Sequence, residues 1–240
     1  MVSKVILGAL LLGLVVNEAV GGEDKGMLQS QLDARQIESH AKFPEAMVKM
    51  MDEGNKKVAA SGVVENAKQV GDRAPDFTLR NAVGKNVALS SLLKKGPVIL
   101  LWYRGGWCPY CNLTLHYYQD HLAKIEASGA TLVALSPEVP DKSLDTAQKN
   151  ELEFEVLSDV GNTVAEEYGV VFKLPPEIHK LYEEKLNLSS YNGDESGMLP
   201  LSATYVIAPD GTITYAFLDA DYTNRADPTV VLEAVKAIGK

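Results

Sequence analysis

The stretch Pro97–Tyr103, PVILLWY, constrains this chain's fold more than any other. It is a continuous apolar run, with Gly96 before it and Gly105-Gly106 just beyond it. A strand with one wet face alternates apolar and polar residues, whereas a run without alternation suits a central parallel strand covered on both faces. Such a strand needs helices on either side of its sheet, and the following sequence supplies them. PYCNLTLHYYQDHLAKIEASGA reads as a helix ending near Gly129, TLVALSPE as a strand, and Asp141 to about Glu151 as a helix opened by Pro140. FEVLSD is a further strand and TVAEEYGV a short helix. Upstream, DFTLRN and VALS are extended segments on either side of a turn at Val83-Gly84-Lys85. PPEIHKLYEEKLNLSSYNGDESG has the character of an insertion with one helix and a polar loop. SATYVIAPDGTITYAFLD is a hairpin on an Asp210-Gly211 turn, and PTVVLEAVKAIGK is a closing amphipathic helix capped by Asp227-Pro228. Strands alternating with helices, ending in a hairpin and a helix, predict an α/β layer fold with a mixed sheet.

The N-terminal part has a different texture. From Met27 to about Ala67, apolar residues recur at three- and four-residue spacings among many charges, a helical pattern with expected breaks near Pro44 and Gly54. Its mixed charges fit packing on the rest of the chain or on a second copy, so a homodimer is allowed. Ahead of it, Lys4, the apolar run Val5 to Val16 and the small residues around Ala19-Val20-Gly21 read as an export signal. That run is too short to cross a bilayer, which takes about 20 residues. The expected division is therefore 1–21 signal, 22–69 helical extension and 70–240 main domain. Cleavage would leave a periplasmic or secreted protein without stable membrane insertion. A retained segment would leave it cytoplasmic or membrane-associated.

The only two cysteines, Cys108 and Cys111, stand in CPYC directly after the apolar run. A disulfide stabilises more as the loop it closes lengthens, so a bridge across this short loop would restrain little. The pair is better explained by reactivity. Zinc would need two more ligands, and His40, His116, His121 and His179 stand at none of the required spacings, so no metal or other cofactor is expected. With 23 basic against 32 acidic residues and a net charge of -9, a nucleic-acid partner is disfavoured. Cys108 falls where a strand ends and a helix begins, and the free amides and positive dipole end there acidify a thiol. Pro109 suits the first helical turn. Cys111 follows one turn later, within reach of a disulfide and expected to be the more buried of the two. Arg104 is a second source of positive charge beside the thiolate.

A CxxC closing a buried strand resembles the thioredoxin superfamily. GDRAPDFTL, WYRGGWCPYCNLTL, SATYVIAPDGTI and FLDADYTNRADPTVVLEAVKAI together resemble its peroxiredoxin-like AhpC/TSA branch, over roughly Val70 to Ile238. The resemblance implies a thioredoxin-like fold, a central mixed sheet flanked by helices, here with a helical N-terminal extension. It also implies a thiol peroxidase in which Cys108 attacks a hydroperoxide, Cys111 condenses with the resulting sulfenic acid, and a thioredoxin-like protein restores the dithiol. Arg104 would hold thiolate and peroxide, and Trp107 and Tyr103 would shape an apolar mouth. Ser202 stands where thioredoxins carry the cis-proline facing the cysteines, and is a further candidate for contacting substrate. The chain departs from both templates. Gly105 and Leu101 stand where typical peroxiredoxins have Thr or Ser and Pro, and Trp102 replaces the buried acid of thioredoxin. The same CPYC pair would serve a TlpA- or thioredoxin-like disulfide reductase or isomerase, and a binding module with an idle pair is the non-enzymatic alternative. What the Cys108 mouth admits separates the first two: a peroxide, or an extended polypeptide beside the strand starting near Ser202. The acidic loop DADYTNRADP has no expected role beyond capping the last helix.

Overall fold

The computed structural model describes residues 27–238. Three helices come first, α1 (Met27–Lys42), α2 (Glu45–Ala59) and the single turn α3 (Val63–Asn66). The hairpin β1 (Thr78–Asn81) and β2 (Asn86–Ala88) follows, then α4 (Leu89–Leu93) and β3 (Val98–Trp102). Next are α5 (Pro109–Asp120), α6 (Leu122–Ala127), β4 (Thr131–Ser136), α7 (Pro140–Lys149) and β5 (Glu155–Ser158). A 3₁₀ turn at Val160–Asn162 leads to α8 (Thr163–Glu167), β6 (Val171–Lys173), α9 (Pro176–Leu186), α10 (Leu188–Asn192) and β7 (Met198–Pro200). The chain then forms β8 (Thr204–Ile207), β9 (Ile213–Phe217) and α11 (Pro228–Ala237).

The main sheet has seven strands in the order β2-β1-β5-β4-β3-β8-β9. β3 pairs parallel with β4 and antiparallel with β8, so VILLW runs through the centre of a mixed sheet with every residue buried. Two apolar layers cover it. Ile99 and Leu101 pack with Leu115, Tyr118 and Ile125 on one face, while Leu100 and Trp102 pack with Tyr168, Tyr205 and Leu201 on the other. Trp102 is a core residue, 4.9 Å from the Tyr168 ring and 5.9 Å from that of Tyr205. The last helix starts as its sequence requires, with the Asp227 side chain accepting from the Thr229 amide and Pro228 in the first turn.

Several elements differ from the sequence reading. The helix after the cysteines does not run unbroken to Gly129 but breaks at His121, whose Nδ1 lies 2.8 Å from the Tyr117 carbonyl while its amide bonds Tyr118. The ring occupies the carbonyl that an unbroken helix would give to that amide. Gly54 does not break α2. It packs closely against α9, where a Cβ would lie 3.1 Å from Ile178 Cγ1. The insertion carries two helices rather than one, and the antiparallel pair β6-β7 joins its ends. These three-residue strands are too short to show a period, and only their pairing defines them. The expected signal segment lies outside the described residues, among which no helix is long and apolar enough to cross a membrane.

Candidate active site

β3 delivers the chain to a five-residue turn, Tyr103 to Trp107, and Cys108 caps the helix that follows with Pro109 in its first turn. The turn's shape depends on glycine. Gly105 has φ 149°, and a Cβ there would fall 2.2 Å from Trp107 Nε1, because the indole folds over it. At Gly106 a Cβ would meet Thr146 Oγ1 at 2.1 Å.

Glu138, in the loop between β4 and α7, fixes the turn from the sheet side. It is fully buried, accepts from the Gly106 amide at 2.8 Å and the Tyr103 hydroxyl at 3.0 Å, and accepts from Thr146 Oγ1 at 3.1 Å. Burial raises its pKa above the usual carboxylate value against the pull of these donors. Asn112 adds a second tie, donating to the Gly106 carbonyl at 2.8 Å and itself held by Asn150. Tyr103, expected at the mouth, therefore lies behind the turn, because its hydroxyl is drawn to Glu138.

Cys108 and Cys111 are both free thiols and equally buried, each 1% exposed. The expectation that Cys111 would be deeper does not hold, because Cys108 too belongs to a buried apolar cluster, one that includes Leu28 and Leu32 of α1. Two arginines face the pair. The Arg104 amide donates to Cys111 Sγ at 3.5 Å, and Arg225 Nη2 lies 3.6 Å from the same sulfur. Burial opposes ionisation of Cys111, but the Cys108 thiol, Arg225 and Arg104 outweigh it and bring the Cys111 pKa down to about 5. Burial and the hydrogen bond to Cys111 push the Cys108 thiol well up. The two thiols therefore titrate as a pair rather than independently. The acidification expected of Cys108 alone belongs to the pair, and Arg225 and the Arg104 amide converge on Cys111.

Arg104 is buried and held by aromatic rings. Its guanidinium carbon is 4.3 Å from the Tyr222 ring centre, 5.1 Å from that of Trp107 and 5.4 Å from that of Tyr182. Its Nη2 donates to the Tyr182 hydroxyl at 2.9 Å. Ser202 is buried and lines a small cavity of about 20 Å³ that shares Arg104 and Tyr182 with the larger opening at Cys108, which Ser202 itself does not line. Among the described residues there is no cis peptide, at Ser202 or elsewhere. Trp107, Arg104 and Cys108 do share one opening, a cavity of about 370 Å³ bounded further by α1, α2, α9 and Tyr222.

Sequence reasoning missed Glu138, Tyr182 and Arg225. Glu138 carried a signal, an acid two residues beyond the end of an apolar strand. Arg225 stood in the acidic loop that had no expected role. Asp219 and Asp221 there accept from Asp221 and Thr223 amides, and this folding aims Arg225 at Cys111. Tyr182 comes from the insertion, and only folding brings it to Arg104.

Comparisons with known proteins agree with this geometry. The AhpC/TSA family model matches residues 70–216. Chloroplastic peroxiredoxin Q of Triticum aestivum is 29% identical over 173 residues, 72% of this chain and 67% of its own length. Chloroplastic peroxiredoxin Q of Populus jackii is 34% identical over 158 residues, 66% of this chain and 62% of its own. The chain thus spans between 62% and 67% of the length of these two relatives. Among solved structures, peroxidoxin BcpB from Mycobacterium tuberculosis superposes with a TM-score of 0.58 at 24% identity, covering 71% of this chain and 97% of that one. A peroxiredoxin-like protein from Aquifex aeolicus gives 0.57 at 18% identity, covering 72% and 88%. The fold is thioredoxin-like, a central mixed sheet flanked by helices with helices preceding it, and the chain belongs to the AhpC/TSA family.

Proposed function

We propose that the protein is a thiol peroxidase of the peroxiredoxin type, reducing hydroperoxides with Cys108 as nucleophile and Cys111 as resolver. The observation that carries this reading is geometric: two free thiols one helical turn apart, with the Arg104 amide and Arg225 Nη2 converging on Cys111 and Cys108 lining a cavity. Passage of the proton from Cys108 to Cys111 exposes a Cys108 thiolate. That thiolate attacks the terminal peroxide oxygen, the S–O bond forms as O–O breaks, and the leaving alkoxide takes the Cys111 proton to become an alcohol. Cys111, again a thiolate, displaces hydroxide from the Cys108 sulfenic acid, and the hydroxide is protonated by solvent. Two electrons have left the dithiol, and a thioredoxin-like dithiol donor returns them by exchange. Arg104 holds charge at the reacting end and Arg225 favours the thiolate on the resolver.

The relatives' names support the peroxide substrate, and the donor follows from the disulfide product. The domain division at residue 70, export of the mature chain and homodimer formation belong to the same proposal. Chloroplastic relatives support an N-terminal targeting segment in general. The disulfide-reductase reading is weakened by the burial of both sulfurs, since an extended polypeptide needs an open groove beside them.

The test is consumption of hydrogen peroxide and an organic hydroperoxide by reduced protein with a thioredoxin system as donor. Turnover is expected, with Cys108→Ser lowering it by about 10³-fold or more, as for loss of a nucleophile. Negligible turnover beside rapid insulin-disulfide reduction would transfer the protein to the reductase class.

A further inference from the structure

Arg225 reaches Cys111 from far along the chain, and its aim is set by the loop that carries it. The side chain is buried, its Nη1 donates to the carbonyls of Tyr222 and Asn224 in that same loop, and its Nη2 lies 3.6 Å from Cys111 Sγ. The guanidinium therefore goes where residues 219–225 go. The same loop sets the Tyr222 ring centre 4.3 Å from the Arg104 guanidinium carbon and 5.5 Å, edge-on, from the Tyr110 ring. One loop thus presents a cation to Cys111 and a ring to Arg104.

The fold of that loop centres on one oxygen. Asp221 Oδ1 accepts from the Thr223 amide at 2.9 Å and from Thr223 Oγ1 at 2.8 Å. Its third donor is Asn55 Nδ2 of α2, at 3.1 Å. The bonds to Thr223 are local. An Asp side chain that bonds the backbone two residues on makes a turn, but says nothing of where the turn sits in the fold. Placement needs ties to other elements. After the loop, the Tyr118 hydroxyl donates to the Ala226 carbonyl at 3.0 Å; within it, Asn55 holds Asp221. α2 is itself seated on both sides of Asn55, by Gly54 against Ile178 and by Lys57 paired with Glu177. Neither Asn55 nor the loop lies within residues 70–216, which the family model matches.

We propose that α2 belongs to the catalytic apparatus, with Asn55 as a positioning residue: by holding Asp221 it fixes the turn that aims Arg225 at Cys111 and seats Tyr222 on Arg104. The proposal rests on the peroxidase reading for the role of Cys111 as resolver. The charged and titratable groups around the thiols are Arg104 and Glu138 at the turn, Tyr110 on α5, Tyr182 on α9, and Arg225 and Tyr222. Of these, Arg225 and Tyr222 ride on the loop that Asn55 holds, so loss of the clasp acts on the thiols through them.

The experiment follows alkylation of Cys111 by iodoacetamide against pH in the reduced full chain, with the site of modification read by peptide mass. Asn55→Leu, and separately Asn55→Ala, are expected to shift the acid limb upward and to slow alkylation at pH 6 by about threefold, the scale of one lost hydrogen bond. In an Arg225→Met background the same changes should add nothing, because residues that act through one group are not additive. Val63→Ala truncates a buried residue of α3 in the same helical layer and should lower the melting temperature without moving the limb. A wild-type limb in the Asn55 variants overturns the proposal. So does a shift that persists undiminished in Arg225→Met, or one that Val63→Ala reproduces. Hydroperoxide turnover of the wild type, measured separately, distinguishes the two readings. Its absence beside a shifted limb defeats the peroxidase and leaves Asn55 positioning the thiol pair.

Discussion

The two sides of the active-site turn are built in opposite ways. On the sheet side, Glu138, Thr146, Asn112 and Asn150 form a closed set of hydrogen bonds around Gly106, with no space for even one added carbon. On the helical side, Arg104 rests among three aromatic rings and faces an open cavity, with Tyr182 as its hydroxyl partner. The first side fixes where the nucleophile stands. The second can change in shape without moving it. Catalysis by positioning tolerates little error at the reacting atom, whereas an apolar wall works by area and tolerates repacking.

Glu138→Ala tests the closed side and should have the largest effect on stability. It strands three buried donors at once, each worth about 1–3 kcal/mol when left unpaired. The variant should melt at least roughly 5 °C lower, at about 2–4 °C per kcal/mol for a chain of this size. If thermal melting instead falls no further than for a surface substitution, the turn is held by backbone alone and the contrast between the sides disappears.

Arg225→Met should come next. With Cys111 held down at about 5, reduced wild type should react with iodoacetamide along an acid limb centred near that value, the thiolate forming as pH rises through it. Removing Arg225 should shift this limb upward and slow alkylation at pH 6 by about tenfold, equivalent to ~1.4 kcal/mol. A depressed folded-state pKa also has a consequence for stability. The Cys111 contribution is complete above the ordinary thiol pKa and is lost as pH falls through about 5, so the gap in stability between wild type and Cys111→Ser should narrow on acidification. An unchanged alkylation profile in Arg225→Met would mean that Arg104 and the Cys108 thiol suffice.

The smallest effect is expected for Tyr182→Phe on the open side. It removes one hydrogen bond to a charged group, about 1.5–3 kcal/mol at most, but leaves Arg104 in contact with the ring. KM for an organic hydroperoxide should rise a few-fold, with the melting temperature lowered by less than for Glu138→Ala. A loss of thermal stability matching that of Glu138→Ala would show the two sides to be equally rigid.

The sequence by itself carried the elements whose signals are local. VILLW suited a strand covered on both faces, because it is continuously apolar and bounded by glycines. Cys108-Pro109 fitted a helix start, since proline supplies the fixed φ and lacks the amide that the first turn leaves free. Asp227-Pro228 marked the last helix in the same way. Tertiary structure decided what depends on distant pairing. β6 and β7 are each three residues long and acquire meaning from one another. Glu138, Tyr182 and Arg225 lie far from Cys108 in sequence, and nothing in their immediate neighbours states that they converge on one turn. The environment of the thiol pair was decided at that same level: a helix start acidifies the sulfur it faces, but the long-range approach of Arg225 to Cys111 and the burial of both sulfurs come from the tertiary fold.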